Sequence, residues 1–172
     1  LEQSDGYNPF RYLRDEKDAL KLVNNLIQAT TPKGSHESDP FWTKAETALL
    51  QAIILMLFQE APEYEQNFSM VMRVLEYAEV KEDRPDSVAV RQYKVFKMAA
   101  GKTSKSILVS TAVRLAPFNL PQIKAITDHD DMDLYTLGEK KVALYAVIPD
   151  NDTTFNFLVS LLYAQAFQAL YY

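Results

Sequence analysis

At 172 residues the chain is long enough to bury one hydrophobic core, and its 48% apolar and 24% charged residues are ordinary for a soluble globular domain. The absence of cysteine excludes a disulfide scaffold and thiolate chemistry, and the four glycines argue against a loop-rich or barrel architecture. The net charge of −5 argues against a chain dominated by general attraction to nucleic acid or anionic lipid.

Helical periodicity dominates the first part of the chain. Residues 15–30 place their apolar side chains on one helical stripe, with acidic residues in the first turn. After a polar loop at 31–38, residues 39–61 form the longest predicted helix, in which Asp39 can cap the N-terminus and Pro40 suits the first helical position. This helix is apolar on most sides and should be central and largely buried. Its predicted contacts with neighbouring elements come from Trp42, Leu49, Ile53, Leu57 and Phe58.

Shorter helices follow at 69–80, 88–100 and 104–115, and another ends near Thr127. A charged link that contains a proline separates the first two at 81–87, and Gly101 separates the next two. The apolar stretches 48–58 and 155–172 are too short or too interrupted by polar residues to span a membrane. Both are therefore expected to be buried helices.

The pattern changes after Asp128. Residues 128–133 form an acidic turn, residues 142–148 form a short apolar run that suits a fully buried strand, and a helix is predicted over 153–172. Strand, acidic turn and helix in this order are typical of a nucleotide-binding α/β sheet. The carboxyl ends of such strands face ligands, so the polar residues after the strand could lie near a nucleotide or a neighbouring subunit. These residues are Asp150, Asp152, Thr153 and Thr154; alternatively, Asp152 or Thr153 caps the last helix.

The motif Ala100-Gly-Lys-Thr103 is similar to the end of a phosphate-binding P-loop. The full motif requires a glycine where Phe96 stands, and it requires an apolar strand upstream, whereas residues 91–98 are helical and basic in character. A helix break at Gly101 followed by a capped helix explains the motif better. We therefore assign no catalytic residue and no cofactor-binding residue, and we expect no ATP hydrolysis by this chain.

The acidic turn does not predict a metal site. A calcium-binding loop requires glycine at its sixth position, but Asp133 stands there. It also requires carboxylates at alternate positions, but Met132 occupies the fifth. His36 and His129 lack a second ligand at the spacing that zinc sites use. We therefore interpret the turn as solvated and both histidines as loop residues, and we assign no metal ligand.

Positive charge is concentrated between positions 91 and 105, where five basic residues occur without an acidic one: Arg91, Lys94, Lys97, Lys102 and Lys105. On one continuous helix they would lie within an arc of roughly 140°. This stripe could contact DNA phosphates or a partner protein, or it could be a solvated helix face. Tyr93 and Phe96 lie between these cations at a spacing that serves core packing equally well.

Five sequence blocks resemble the TraG/TraD-like coupling proteins of conjugative type IV secretion, and they occur in the order found in that family. They are Tyr7-Asn-Pro-Phe10, Asp39-Pro-Phe-Trp-Thr-Lys-Ala-Glu46, Ala100-Gly-Lys-Thr-Ser-Lys-Ser-Ile107, Arg114-Leu-Ala-Pro-Phe118 and Asp150-Asn-Asp-Thr-Thr-Phe-Asn156. The resemblance implies a mainly α fold, a helical bundle-like all-alpha domain with a small β element from an adjoining P-loop ATPase domain. Residues 1–38 would be an N-terminal segment with the first helix, 39–127 the all-alpha substrate-recognition domain, and 128–172 a strand and helix that belong to or border the nucleotide-binding domain.

The same resemblance implies a function. The chain would be the substrate-receptor part of a coupling protein that recruits the relaxase–DNA complex to the secretion channel. Its partners would be a relaxase or a relaxosome accessory protein, with at most weak binding of single- or double-stranded DNA. Two alternatives are a stand-alone helical DNA-binding module and an autonomous nucleotide-binding enzyme.

The resemblance also implies a larger parent protein. The chain begins at Leu1 and ends within an apolar periodic segment, so we interpret it as a fragment. We expect this fragment to be monomeric. The parent would be a membrane-anchored homohexameric ATPase that uses ATP and Mg, with its Walker A and B motifs outside this chain. The soluble domain would lie at the cytoplasmic face of the cell membrane.

Overall fold

A computed structural model of the protein describes residues 4–31, 40–77, 87–100, 103–150 and 152–171. These residues contain seven α-helices: α1 (Glu16–Thr30), α2 (Pro40–Glu60), α3 (Phe68–Tyr77), α4 (Val88–Ala100), α5 (Ser104–Arg114), α6 (Pro121–Thr127) and α7 (Asn156–Leu170). Short 3₁₀ turns occur at Pro9–Tyr12, Glu63–Glu65, Ala116–Asn119 and Leu134–Thr136. Helix accounts for 72% of the described residues, and none of them lies in a strand, which confirms the predicted mainly α fold.

Helix α1 forms for the reasons that its sequence predicts. The carboxylate of Asp15 accepts a hydrogen bond from the Asp18 N–H at 2.9 Å and so caps the N-terminus. At the other end, the Thr30 and Thr31 hydroxyls donate to backbone carbonyls of the last turn, each at 2.7 Å. The predicted apolar stripe is buried in the core: Ala19, Leu22, Val23, Leu26 and Ile27.

Helix α2 lies at the centre of the bundle, as predicted. It packs against α1, α3, α4 and α5, and its contact with α4 is the most extensive. The predicted contacts are confirmed, since Leu49, Ile53 and Leu57 are buried and Trp42 and Phe58 pack against the core. Asp39 lies outside the described residues, so its capping role remains a prediction.

Helix α2 is also long and apolar enough to cross a membrane by length and composition. The sequence-based argument against a membrane span considered only the shorter run 48–58 and missed this. In the fold, however, ten of its residues are buried, and four neighbouring helices cover its apolar surface. A helix that is apolar on most sides is expected in a core as well as in a membrane, and here it forms the core.

An aromatic cluster joins elements that are far apart in the sequence. The rings of Phe68 on α3 and Phe118 stack with their centroids 4.1 Å apart. Phe10 meets Phe68 edge-on at 5.7 Å, and Phe157 on α7 meets Phe118 at 5.3 Å. Such pairs stabilise a core beyond the area that they bury. One hydrophobic core therefore includes residues from all three predicted regions, and the boundaries proposed at 38/39 and 127/128 remain predictions.

The buried strand predicted at 142–148 does not form. This segment is irregular and lies at the surface, where Tyr145 and Val147 are 85% and 94% exposed. In the described part of the chain, none of the backbone groups of residues 143–149 has a hydrogen-bond partner. A strand requires a neighbouring strand for its backbone hydrogen bonds, and the described residues provide none. The prediction of a buried strand is therefore wrong for the described residues, because an apolar run does not show whether the fold supplies a neighbour that covers it.

Candidate functional site

Helix α4 carries the centre of the predicted basic stripe. Ser87 caps its N-terminus, because its hydroxyl accepts from the Val90 N–H at 3.2 Å and its carbonyl accepts from the Arg91 N–H at 3.1 Å. On the face toward α2, Tyr93 and Phe96 are only 5% and 2% exposed. Of the two roles that the sequence allowed for these aromatic residues, the structure therefore selects core packing.

The cations of α4 lie at the surface. Arg91, Lys94 and Lys97 are exposed, and the Lys97 ammonium lies 5.2 Å from the centroid of the Tyr93 ring. Lys105 is exposed in the first turn of α5. Because α4 ends at Ala100 and α5 begins at Ser104, the single arc that assumed one continuous helix is not formed. Lys102 lies outside the described residues.

Exposed aliphatic side chains accompany these cations, and the sequence reasoning missed them. Val95 and Met98 on α4 are 52% and 85% exposed, and α5 exposes Val109 and Val113. A helical projection of α4 with Tyr93 and Phe96 placed on the buried side would have shown that Val95 and Met98 are exposed. The positions i, i+3, i+4 and i+7 share one side of a helix, so four side chains form a single strip that we call the α4 face: Arg91, Lys94, Val95 and Met98.

A buried ion pair fixes α5 against α2. Glu46 Oε2 accepts a hydrogen bond from Arg114 Nε at 2.9 Å and lies 2.8 Å from Arg114 Nη2 as an ion pair. The other carboxylate oxygen, Oε1, accepts from the Ser110 hydroxyl. The Glu46 side chain is only 3% exposed, and the Arg114 side chain is 16% exposed. Arg114 contacts Oε2 and Ser110 contacts Oε1, so both oxygens of the carboxylate have partners. A buried carboxylate without partners would be costly.

The same arginine reaches α1. Its Nη1 donates to the Thr30 hydroxyl at 2.9 Å and to the Ile27 carbonyl at 3.4 Å. Glu46 and Arg114 belong to two of the sequence blocks that carry the family resemblance, and the sequence reasoning did not pair them. Their structural role is therefore to hold three helices together.

The acidic turn is more structured than the solvated loop that the sequence predicted. Asp130 accepts from the Tyr12 hydroxyl at 2.5 Å and from the Asn8 N–H at 3.1 Å. Asp131 accepts from the Gly6 N–H at 2.9 Å, and Asp128 accepts from the Ser69 hydroxyl on α3 at 2.5 Å. These carboxylates hold the N-terminal segment and α3 in place. The described residues contain no group of three potential ligands that could hold a metal ion.

The block Tyr7–Phe10 also has a structural role. The side-chain oxygen of Asn8 accepts from the Phe10 N–H at 3.0 Å and caps the turn Pro9–Tyr12. The buried Tyr7 hydroxyl donates to Gln165 Oε1 on α7, and Gln165 Nε2 donates to the Pro9 carbonyl at 2.9 Å. Burial raises the pKa of Tyr7, and the nearby Tyr12 and Asp130 raise it further. The phenol therefore remains a hydrogen-bond donor at neutral pH.

A second buried carboxylate links α1 to α7. Asp18 accepts from Arg14 Nε at 2.8 Å, from Lys21 Nζ at 3.2 Å and from Gln168 Nε2 at 2.5 Å. Burial alone would raise the pKa of Asp18, but the hydrogen bonds from Arg14 and Lys21 and the charge of Arg14 outweigh it, so this pKa lies below its usual value. Asp18 therefore stabilises the fold in its ionised form.

The four polar residues predicted to lie near a ligand are all exposed. The prediction that Asp152 or Thr153 caps α7 is wrong. Phe155 occupies the N-cap position without a side-chain hydrogen bond, and Asp152 Oδ1 instead accepts from the Thr154 N–H at 2.9 Å. Hydrogen bonds from Thr154 lower the pKa of Asp152. A cavity of about 850 Å³ lies between α7 and residues 143–149, with Tyr7 and Asp152 among its lining residues.

A family model described as "Type IV secretory system Conjugative DNA transfer" matches residues 1–172. A search of curated proteins found no match.

Proposed function

Since this chain belongs to the type IV secretory system conjugative DNA transfer family, we propose that its helical bundle receives the cargo that such a system exports. The family acts in conjugative DNA transfer, and type IV secretion is associated with membranes. In our proposal the cargo is a relaxase–DNA complex, and the bundle contacts the relaxase or an accessory protein of the relaxosome. The bundle works at the cytoplasmic face of the membrane as part of a membrane-anchored homohexamer.

The observation that carries this proposal is the composition of the α4 face. Arg91 and Lys94 lie beside Val95 and Met98 on one exposed strip, while Tyr93 and Phe96 are buried and anchor α4 in the core. Arginine and methionine are enriched at protein–protein interfaces, and exposed apolar side chains that cluster often mark them. A helix anchored in the core that presents such a surface is suited to binding a protein.

We further propose that ATP hydrolysis resides in residues outside this chain. Residues 88–100, directly before Gly101, form a helix, whereas a P-loop needs a strand followed by a glycine-rich turn. Phe96, which stands where the motif requires glycine, is a core residue. ATP and Mg would therefore be bound by the nucleotide-binding domain of the parent protein.

The exposed segment 143–149 supports the proposal of an adjoining domain. Its backbone groups lack hydrogen-bond partners in the described part of the chain, and its apolar side chains are largely in water. We propose that in the parent protein it pairs with a sheet of the nucleotide-binding domain, which would also cover the 850 Å³ cavity. Asp150, Asp152, Thr153 and Thr154 would then lie at the carboxyl end of a strand, near a nucleotide or a neighbouring subunit.

The receptor proposal is tested by binding. The chain is immobilised and the relaxase and accessory proteins of the same conjugative element are passed over it, each with and without its DNA. We expect saturable binding of at least one of these proteins in the absence of DNA. Failure of all of them to bind would refute the receptor function.

The strand proposal is tested by hydrogen exchange. Amides of residues 143–149 should exchange rapidly in the isolated chain and become protected by at least about 100-fold when the nucleotide-binding domain is present, because their hydrogen bonds would then form. The amides of α2 serve as the control, since they should be protected in both. Rapid exchange of residues 143–149 in the larger protein would contradict the proposal.

A DNA-binding module is the second candidate, because the cations of α4 and Lys105 are exposed. In that case, a labelled oligonucleotide should bind with an affinity that falls steeply with salt. We expect binding to be weak and lost at physiological salt. Tight binding at high salt would favour the DNA-binding module over the protein receptor.

A further inference from the structure

One stretch of this chain carries basic residues without any acidic ones. Residues 87–127 contain seven basic residues and no acidic one, although the chain as a whole carries a net charge of −5. One of the seven, Arg114, is already engaged by the buried Glu46. The exposed positive charge is densest on α4, and a partner attracted to this stretch must itself be acidic.

The α4 face offers more than charge. Its four residues span about 10 Å of helix, and two cations are followed by two exposed aliphatic side chains. A partner that covers the strip must pair with Arg91 and Lys94 and must also remove Val95 and Met98 from water. Methionine is flexible and polarizable, and it adapts to differently shaped apolar partners.

We propose that the α4 face binds an acidic segment of a partner protein whose carboxylates are interspersed with apolar side chains. This assignment rests on the proposed receptor function and specifies the chemistry of the cargo segment. Carboxylates of the segment pair with Arg91 and Lys94, and its apolar side chains pack on Val95 and Met98. Each type of contact alone would leave half of the strip unused.

DNA fits this face less well. Phosphates would pair with the cations but would leave both aliphatic side chains without a partner. Proteins that bind single strands stack bases on exposed aromatic rings, and the two aromatic residues within the basic stretch of α4, Tyr93 and Phe96, are buried against the core. The structure therefore favours a protein segment.

The probe is a fluorescein-labelled synthetic peptide of about 16 residues with glutamate and leucine at helical spacing, long enough to form a helix on binding. Two matched peptides replace either every leucine by glutamine or every glutamate by lysine, and an oligothymidine of similar length represents DNA. Fluorescence anisotropy with the whole chain should show the acidic, apolar peptide binding at least about tenfold more tightly than every other probe.

Variants of the α4 face separate its two contributions. Arg91→Glu with Lys94→Glu should weaken binding by more than about tenfold and flatten its salt dependence. Val95→Gln with Met98→Gln should weaken it by about threefold to tenfold without changing the salt dependence. Two controls should stay within about twofold of the wild type: Lys140→Glu with Lys141→Glu for charge, and Val147→Gln for an exposed apolar residue.

Several outcomes would overturn the proposal. These are equal binding of the leucine-free peptide, tighter binding of oligothymidine with no effect of Val95→Gln with Met98→Gln, and no binding of any probe. The same variants are then tested against the relaxase and accessory proteins. If cargo binds and the variants change nothing, the receptor function stands and the α4 assignment fails. If no cargo protein binds but the peptide does, the receptor function fails while the α4 face stands as a peptide-binding surface.

Discussion

Removing one partner of the buried Glu46–Arg114 pair should destabilise the fold by an amount that depends on which partner remains. Breaking a buried ion pair costs about 3–5 kcal/mol, because a charge is left without compensation. After Glu46→Ala, Arg114 is still 16% exposed and can reach water, so we expect a loss near 3 kcal/mol. After Arg114→Ala, the Glu46 side chain is only 3% exposed, so the loss should approach 5 kcal/mol.

The losses of the two charges should also be strongly coupled. The cycle uses Glu46→Leu and Arg114→Met, each made singly and then together. Each single variant leaves one charge without its partner, whereas the double variant replaces the pair by apolar side chains of similar size, and such replacements are often nearly neutral. The loss in the double variant should therefore be smaller than the sum of the two single losses by at least about 2 kcal/mol. Both charges disappear together, so neither is left buried alone.

The measurement is urea unfolding at 25 °C followed by circular dichroism, with the free energy of unfolding obtained by linear extrapolation. Glu76→Ala, which alters an exposed residue of α3, is the control and should change the free energy by less than about 0.5 kcal/mol. A loss below about 1 kcal/mol for Glu46→Ala would refute the reasoning. Additive losses in the double variant would refute it as well.

Three further outcomes follow from other parts of the structure. Because the pKa of Asp18 is lowered in the fold, its stabilising contribution is complete above about pH 4 and is lost as the pH falls through the lowered value. Asp18→Asn should therefore destabilise the protein at pH 7, and its difference from the wild type should shrink toward pH 3, as measured by urea unfolding across that range. Phe118→Ala should cost about 3–5 kcal/mol in the same assay, because it leaves a cavity beside Phe68. Isothermal titration should detect no ATP binding by the chain, since a helix that buries Phe96 precedes Gly101; micromolar affinity would contradict this.

The helices were predictable because their causes are local. Each α-helix arises from hydrogen bonds between residues four apart and from an apolar stripe with the same period. The predicted ranges 88–100 and 104–115 accordingly match α4 and α5 to within one residue. The central position of α2 was predictable too, because a helix that is apolar on most sides has to be surrounded by other elements.

The candidate surface was predictable only in part. Arg91, Lys94 and Lys97 are exposed, as a basic helix face should be, but their aliphatic neighbours Val95 and Met98 were missed. An apolar residue in a helical sequence is normally assigned to the core. Only the packing of Tyr93 and Phe96 against α2 shows which side of α4 is already covered.

The sequence by itself determined the helical class of this protein, the order of its helices and the family to which it belongs. The tertiary structure decided which distant groups meet: Glu46 with Arg114, Asp130 with Tyr12, and Asp18 with Gln168. It also showed that the segment 143–149 has no hydrogen-bond partner in the described part of the chain. The physical reason is range, since a helix satisfies its backbone within a few residues, whereas ion pairs and strands need partners that only the folded chain brings together.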